Sequence, residues 1–188
     1  MFQAGDMARL PSLLVIGSGT SASQDAEDVG AWAATQSYNL VSGGGQGVMR
    51  AAAEGFFHVK PRKGVSIGIL PGEYVVNGSR DDCQPSPGYP NEFVEVVIQT
   101  HLIGSKKPSH QEKIGPDSRN RVTVLSADFV VAVGGGDGTK SEADLAVRLG
   151  KPLVFYGPAE SWHAEYPSVE RVSSIADLSA ALARAPRR

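Results

Sequence analysis

Three glycine clusters, each set directly behind a short apolar run, constrain the fold of this 188-residue chain more than any other feature. They are GSGTS at residues 17–21 behind residues 13–16, SGGGQG at 42–47 behind residues 39–41, and GGGDGT at 134–139 behind residues 128–133. Apolar positions at helical spacing follow each cluster. They are Ala26, Val29, Gly30 and Ala33 after the first, Met49, Ala52, Ala53 and Phe56 after the second, and Ala143, Ala146 and Val147 after the third. A strand, a glycine turn and a helix, repeated with short connections, make parallel strands joined by right-handed crossovers. The expected fold class is therefore α/β, a doubly wound and mostly parallel sheet of Rossmann type.

Further strands are expected over residues 66–70, 94–100 and 152–156, and the 128–133 run is continuous enough for a strand covered on both faces. Pro71-Gly72 is expected to end the third strand, and residues 72–92, rich in Gly, Pro, Asn, Asp and Ser, read as a long loop. A helical turn or two fits residues 119–127. The last helix opens on a capping pattern from Ser174 to Asp177 and buries Ile175, Leu178 and Leu182. One layer system accounts for residues 1–188 as a single domain with its core in 11–160. Residues 103–118 form a polar loop insertion, either solvated or an anion-attracting lid built on Lys106, Lys107, His110 and Lys113. Arg50 and Glu54 read as a solvated pair on one helix, and Trp32, Trp162 and His163 as packing or dimer-contact residues.

Charge and composition narrow the partners. With a formal net charge of -2 and no dense basic run, a polynucleotide partner is not expected. No apolar run approaches the roughly 18–20 residues of a membrane span. The first residues, MFQAGDMARLPSLLVIGSGT, lack the layout of a signal peptide, and a cytoplasmic location is expected. The one cysteine, Cys83, is expected to be a free thiol in a polar loop, and four scattered histidines give no zinc-ligand spacing.

In a parallel sheet such glycine loops gather at the carboxyl edge of the strands, where ligands bind. Glycine lets the backbone approach a ligand closely, and the amides of each following helix favour an anion. The candidate phosphate-binding residues are Gly17, Ser18, Gly43, Gly44, Gly45, Gly135, Gly136, Gly138 and Thr139. The same glycines also suit tight turns, and Ser18 and Thr139 also suit helix caps. No P-loop is present, because Thr139 separates Gly138 from Lys140, and no loop matches GxGxxG. Valine at Gly44 or Gly136 is expected to weaken ligand binding with the fold retained.

With these residues in hand, the chain resembles the LONELY GUY (LOG) family of the Rossmann-type SLOG superfamily. SGGGQGVMRAAAEG at 42–55 looks like that family's first glycine motif and helix. GGGDGTKSE at 134–142 looks like its PGGxGTxxE motif: Gly135, Gly136, Gly138, Thr139 and Glu142 match, and Gly134 stands in place of the proline. Arg119 keeps the spacing of the family's catalytic arginine to an Ala-Asp pair, here Ala127-Asp128. The resemblance implies a homodimer that hydrolyses the N-glycosidic bond of nucleoside 5′-monophosphates without a cofactor, with Arg119 and Glu142 catalytic. Two departures, Arg119-Asn120 where active members carry Arg-Lys and Gly134, look more like the branch of molybdenum-cofactor carriers. That branch implies a non-catalytic protein whose ligand is the molybdenum cofactor. Glu142 has a second reading, as the N3 partner of an N-cap Thr139, and Arg119 a second reading as a surface arginine.

Overall fold

The computed structural model describes residues 9–74, 83–85, 87–103, 114–158 and 160–185. Most of the polar segment, residues 104–113 with its lysines and His110, lies outside the described residues. Seven strands run parallel: β1 (Ser12–Gly17), β2 (Asn39–Ser42), β3 (Ser66–Tyr74), β5 (Val96–Ile103), β6 (Phe129–Val133), β7 (Leu153–Tyr156) and β8 (Glu170–Val172). They lie in the order β5-β3-β2-β1-β6-β7-β8, and the short β4 (Cys83–Pro85) pairs antiparallel with the end of β3. The helices are α1 (Gln24–Thr35), α2 (Val48–His58), α3 (Arg119–Leu125), α4 (Asp137–Arg148) and α5 (Ile175–Arg184), with a 3₁₀ turn at Ser161–Glu165. This is the expected doubly wound α/β sheet.

Two apolar layers explain why the central strands read as unbroken hydrophobic runs. Side chains alternate across a strand. Leu13 and Val15 of β1 therefore join Phe129, Val131, Phe56 and Leu178 on one face. Leu14 and Ile16 join Val130, Ala132, Leu145 and Phe155 on the other. Trp32 belongs to the first layer, 5.6 Å from the Tyr38 ring, so it is a packing residue. Helices α1 and α2 cross closely because Gly30 and Gly55 leave room for each other's backbone: a side chain on Gly30 would strike the Ala52 carbonyl, and one on Gly55 the Glu27 carbonyl. Ser23 caps α1 by accepting the Ala26 N–H at 3.3 Å, and Ser174 caps α5 as its pattern implies.

The structure corrects the reading of residues 66–92. Strand β3 does not stop at Pro71-Gly72 but continues to Tyr74. Its register with β5 shifts between Leu70 and Gly72, and a bulge is where a proline without an N–H is tolerated in a sheet. Gln99 Nε2 donates to the Pro71 carbonyl at 3.1 Å and Thr100 Oγ1 to the Leu70 carbonyl at 2.7 Å, which holds the irregular stretch in place. Cys83 belongs to β4 rather than to a loop. Both β4 and β8 span three residues, too few to leave a periodic pattern. No helix among the described residues is long and apolar enough to cross a membrane.

Candidate functional site

The sheet reverses its winding between β1 and β6, since β1 leads outward to β2 on one side and pairs with β6 on the other. The loops behind these strands diverge there and open a crevice. A cleft of about 240 Å³ occupies that position. Its walls are the turn after β1 (Gly17, Ser18, Gly19), Gly43 after β2, Met49 on α2, Arg119 and Asn120 on α3, and Gly136 to Thr139 with Glu142 on α4. Eight of the predicted residues thus meet: Gly17, Ser18, Gly43, Gly136, Gly138, Thr139, Arg119 and Glu142. Gly44, Gly45 and Gly135 lie behind the wall, outside the lining.

Each glycine has its own physical reason. A side chain on Gly43 would come within 2.5 Å of Arg119 Nη1, so this glycine is what lets the guanidinium lie against the β2 loop. Gly44 has φ +76°, and a Cβ there would run into Leu70. Valine at Gly44 therefore strikes the fold itself, contrary to the expectation that the fold would survive it. Gly45 faces Tyr89, whose ring carbon would be 2.7 Å from a Cβ, and Asn91 secures the loop by donating Nδ2–H to the Gly45 carbonyl at 2.8 Å. Gly135 has φ +113° and abuts Thr139 and the Ser18 amide. Gly136 and Gly138 differ from all of these: a Cβ on either meets nothing within 4 Å.

Helix α4 begins earlier than the Thr-Lys-Ser-Glu pattern implies. Its N-cap is Gly136, and Lys140 N–H donates to the Gly136 carbonyl at 3.0 Å to close the first turn. Thr139 is therefore inside the helix and 2 % exposed, and Glu142 lies in the second turn, where it caps nothing. Among the described residues no side chain caps this helix, so the first-turn amides of Asp137, Gly138 and Thr139, which have no helical carbonyl to meet, sit in the cleft wall. The α2 terminus is also uncapped by a side chain, but its Val48 N–H is spent on the Ser18 carbonyl at 2.8 Å. Ser18 caps no helix either. Its Oγ accepts the amides of Thr20 and Ser21 at 3.2 and 3.1 Å and shapes the turn, and residues 18–23 separate β1 from α1.

Arg119 opens α3 behind the N-cap Ser118. Its Nη1 lies 3.9 Å from Glu142 Oε1, with both side chains largely buried, at 12 % and 13 % exposure. That separation allows Coulomb attraction but exceeds hydrogen-bond reach for this pair of atoms. Arg119 Nε is buried without a hydrogen-bond partner among the described residues. Asn120 is committed elsewhere: its Nδ2 donates to Ser141 Oγ at 3.2 Å, and Ser141 Oγ donates to the Gly138 carbonyl at 2.6 Å. Arg50 keeps to Glu54 at 2.8 Å and Glu92 at 2.6 Å, away from the cleft.

Sequence reasoning missed the brace behind the third loop. Trp162 Nε1 donates to the Gly135 carbonyl at 2.8 Å, and Gly135 N–H donates to Glu160 Oε1 at 3.3 Å. His163 stacks on Phe155 with centroids 4.0 Å apart, and burial pushes its pKa down. Burial, reinforced by the bond to Asp144, pushes the Tyr166 hydroxyl up. The hydrogen bonds of Trp162, Glu160 and Tyr166 join residues more than twenty positions apart, so no local pattern announces them.

Comparison with known proteins finds the same fold. The chain is 25% identical to the molybdenum cofactor binding protein from the phototrophic bacterium Rippkaea orientalis, with a TM-score of 0.67 over 94% of this chain and 97% of that one. It is 26% identical to the molybdenum cofactor carrier protein from Chlamydomonas reinhardtii, with a TM-score of 0.64 over 94% of this chain and all of that one. An uncharacterized protein of Archaeoglobus fulgidus is 31% identical over 153 residues, 80% of this chain and 82% of its own length. The model of the SLOG cluster4 family matches residues 11–182. This chain is therefore a member of the SLOG cluster4 family, within the LOG-like group to which its glycine motifs point.

Proposed function

We propose that the cleft binds the phosphoryl end of a small nucleotide-like ligand, and that the protein carries a phosphorylated pterin of the molybdenum-cofactor type without turning it over. One observation carries the binding half. Gly136 and Gly138 are glycines that the surrounding protein does not require, on the wall of a cleft beside uncapped helix amides. Space held open at an amide-rich helix start suits an anion that comes close to the backbone. At about 240 Å³ the cleft is below the roughly 300–1,000 Å³ of a pocket that encloses a whole ligand. It takes the phosphorylated end and leaves the ring system towards the open mouth.

The carrier half rests on three supports. Two relatives of similar length are named for molybdenum-cofactor binding or carriage. Asn120, where active hydrolases of the wider family carry lysine, is occupied with Ser141. Gly134 has φ +60°, which the family's proline, fixed near -65°, cannot adopt. Mass spectrometry of the small molecule that copurifies with the protein tests this: a phosphorylated pterin is expected.

A second reading, hydrolysis of nucleoside 5′-monophosphates, is favoured by Arg119 and Glu142 facing one another in the cleft. In that chemistry the Glu142 carboxylate stabilises positive charge at the anomeric carbon and the Arg119 guanidinium holds phosphate or the departing base. Chromatography of free base after incubation with AMP, GMP, CMP and UMP separates the two. Base release at a steady rate overturns the carrier reading.

A further inference from the structure

The geometry points to Trp162 as a positioning residue that aims the Gly136 amide into the cleft, an inference that rests on the reading of this cleft as a phosphoryl site. The peptide joining Gly135 to Gly136 is trans, so its C=O and N–H point in opposite directions. The indole Nε1 of Trp162 holds the Gly135 carbonyl at 2.8 Å from outside the lining, whereas Gly136 is part of it. Fixing the carbonyl on the far side turns the N–H of the same peptide to the near side. Glu160 completes the clamp by taking the preceding amide, Gly135 N–H, at 3.3 Å. An incoming anion therefore meets the amides from Gly136 onward.

The clamp needs a rigid base, and the segment has one. The Glu160 N–H donates to His163 Nδ1 at 3.2 Å, and the His163 ring stacks on Phe155 in the core. Trp162 itself meets Phe155 edge to face at 5.5 Å. Lys140 Nζ donates to Glu165 at 2.6 Å, and the Tyr166 hydroxyl donates to Asp144, tying the same segment to α4. Residues 160–166 thus grip both the glycine loop and the helix whose amides the loop presents. Gly134 makes this possible, because its φ of +60° turns the chain so that Glu160 reaches the next amide.

Trp162→Phe removes the indole N–H and keeps an aromatic ring against Phe155. Two readouts are taken on the full chain: nitrogen-15 order parameters at Gly135, Gly136 and Asp137, and calorimetric affinities for AMP and for adenosine. Order parameters at these residues are expected to fall from about 0.85 to below about 0.6. AMP affinity is expected to fall about tenfold with adenosine affinity unchanged. Glu160→Gln, whose amide oxygen still accepts the Gly135 N–H, should keep both readouts near wild type, whereas Glu160→Ala should reproduce the loss. Unchanged order parameters in Trp162→Phe, or a loss shared equally by AMP and adenosine, overturn the positioning role. If wild type binds AMP no better than adenosine, the phosphoryl reading of the cleft fails, and the order parameters alone decide the clamp.

Discussion

The loop at 42–47 and the loop at 134–139 have nearly the same composition and use it for different ends. In the first, every glycine is explained by protein: Gly43 by Arg119, Gly44 by Leu70, Gly45 by Tyr89, and Gly47, at φ +65°, by the backbone of Ser18 and Gly19. In the second, Gly135 is explained in the same way, but Gly136 and Gly138 are not. A glycine jammed against its own fold says how the chain packs. One in open space beside a cleft is not accounted for by packing, which is what the proposed phosphoryl site would explain. Glycine count alone therefore overstates a binding site, and the space around each glycine is what separates scaffold from site.

The largest effect that this contrast predicts is on stability. Gly44→Val puts a β-branched residue at φ +76° and drives its Cβ into Leu70. Left-handed strain costs about 1–3 kcal/mol and overpacking a similar amount. Chemical denaturation should register a loss of about 3 kcal/mol or more, or the variant should fail to accumulate as folded protein. A variant as stable as wild type would erase the distinction between the two loops.

Next comes Glu142, which stands on the helix of the second loop and faces the arginine that lies on the first. Glu142 is not the N-cap partner of α4, and Glu142→Gln keeps the size of the side chain while removing its charge. Any base release from nucleoside monophosphates should drop by about a hundredfold or more, roughly 2.7 kcal/mol of barrier. Ligand affinity should stay within about threefold if, as proposed, the amides and not this carboxylate hold the phosphoryl group. Steady-state rates and calorimetry on the same preparation check both. Unaltered turnover in an active wild type would remove Glu142 from the chemistry.

The frame of this contrast is legible in the sequence, although the contrast itself is not. The apolar runs at 13–16 and 128–133 announce strands buried on both faces, and the glycines behind them announce the carboxyl edge where the loops meet. Other parts were hidden for definite reasons. The Thr139–Glu142 spacing mimics a capping box, yet the helix begins at Asp137, because the backbone of Gly136 already supplies the first carbonyl. Pro71 mimics a strand terminator, yet a bulge absorbs it. The Trp162 and Glu160 contacts to Gly135 bridge 27 and 25 positions, beyond the reach of any periodic or capping signal. Local patterns name the loops, and only the packed chain tells which loop holds space open.

A moderate effect is expected where that space is filled. Gly136→Val starts its side chain from a Cβ that meets nothing within 4 Å beyond its chain neighbours, on a residue that lines the cleft. Ligand affinity should weaken at least about tenfold, or 1.4 kcal/mol, with the thermal transition close to wild type. This is the converse of Gly44→Val: binding lost and fold kept. Full affinity in the folded Gly136→Val protein would return the second loop to the same class as the first.

The smallest effect has the opposite sign for stability and is the most discriminating for that reason. Gly138 lies in the first turn of α4, its φ is not in the left-handed region, and a Cβ there meets nothing. Alanine is better than glycine within a helix by about 0.8–1.0 kcal/mol, and somewhat less in the first turn, because it restricts the unfolded chain more. Gly138→Ala should therefore raise stability by about 0.5 kcal/mol, about 1–2 °C in melting temperature. If the methyl group only faced water, binding would be untouched and glycine would be an unimproved position. If a phosphoryl group sits against this turn, the methyl group holds it off the amides of Gly138 and Thr139, and affinity should fall several-fold while the fold gains. Calorimetry and thermal melts on one preparation read both signs, and a variant that is more stable and binds as tightly as wild type would show that the open space at Gly138 serves no ligand.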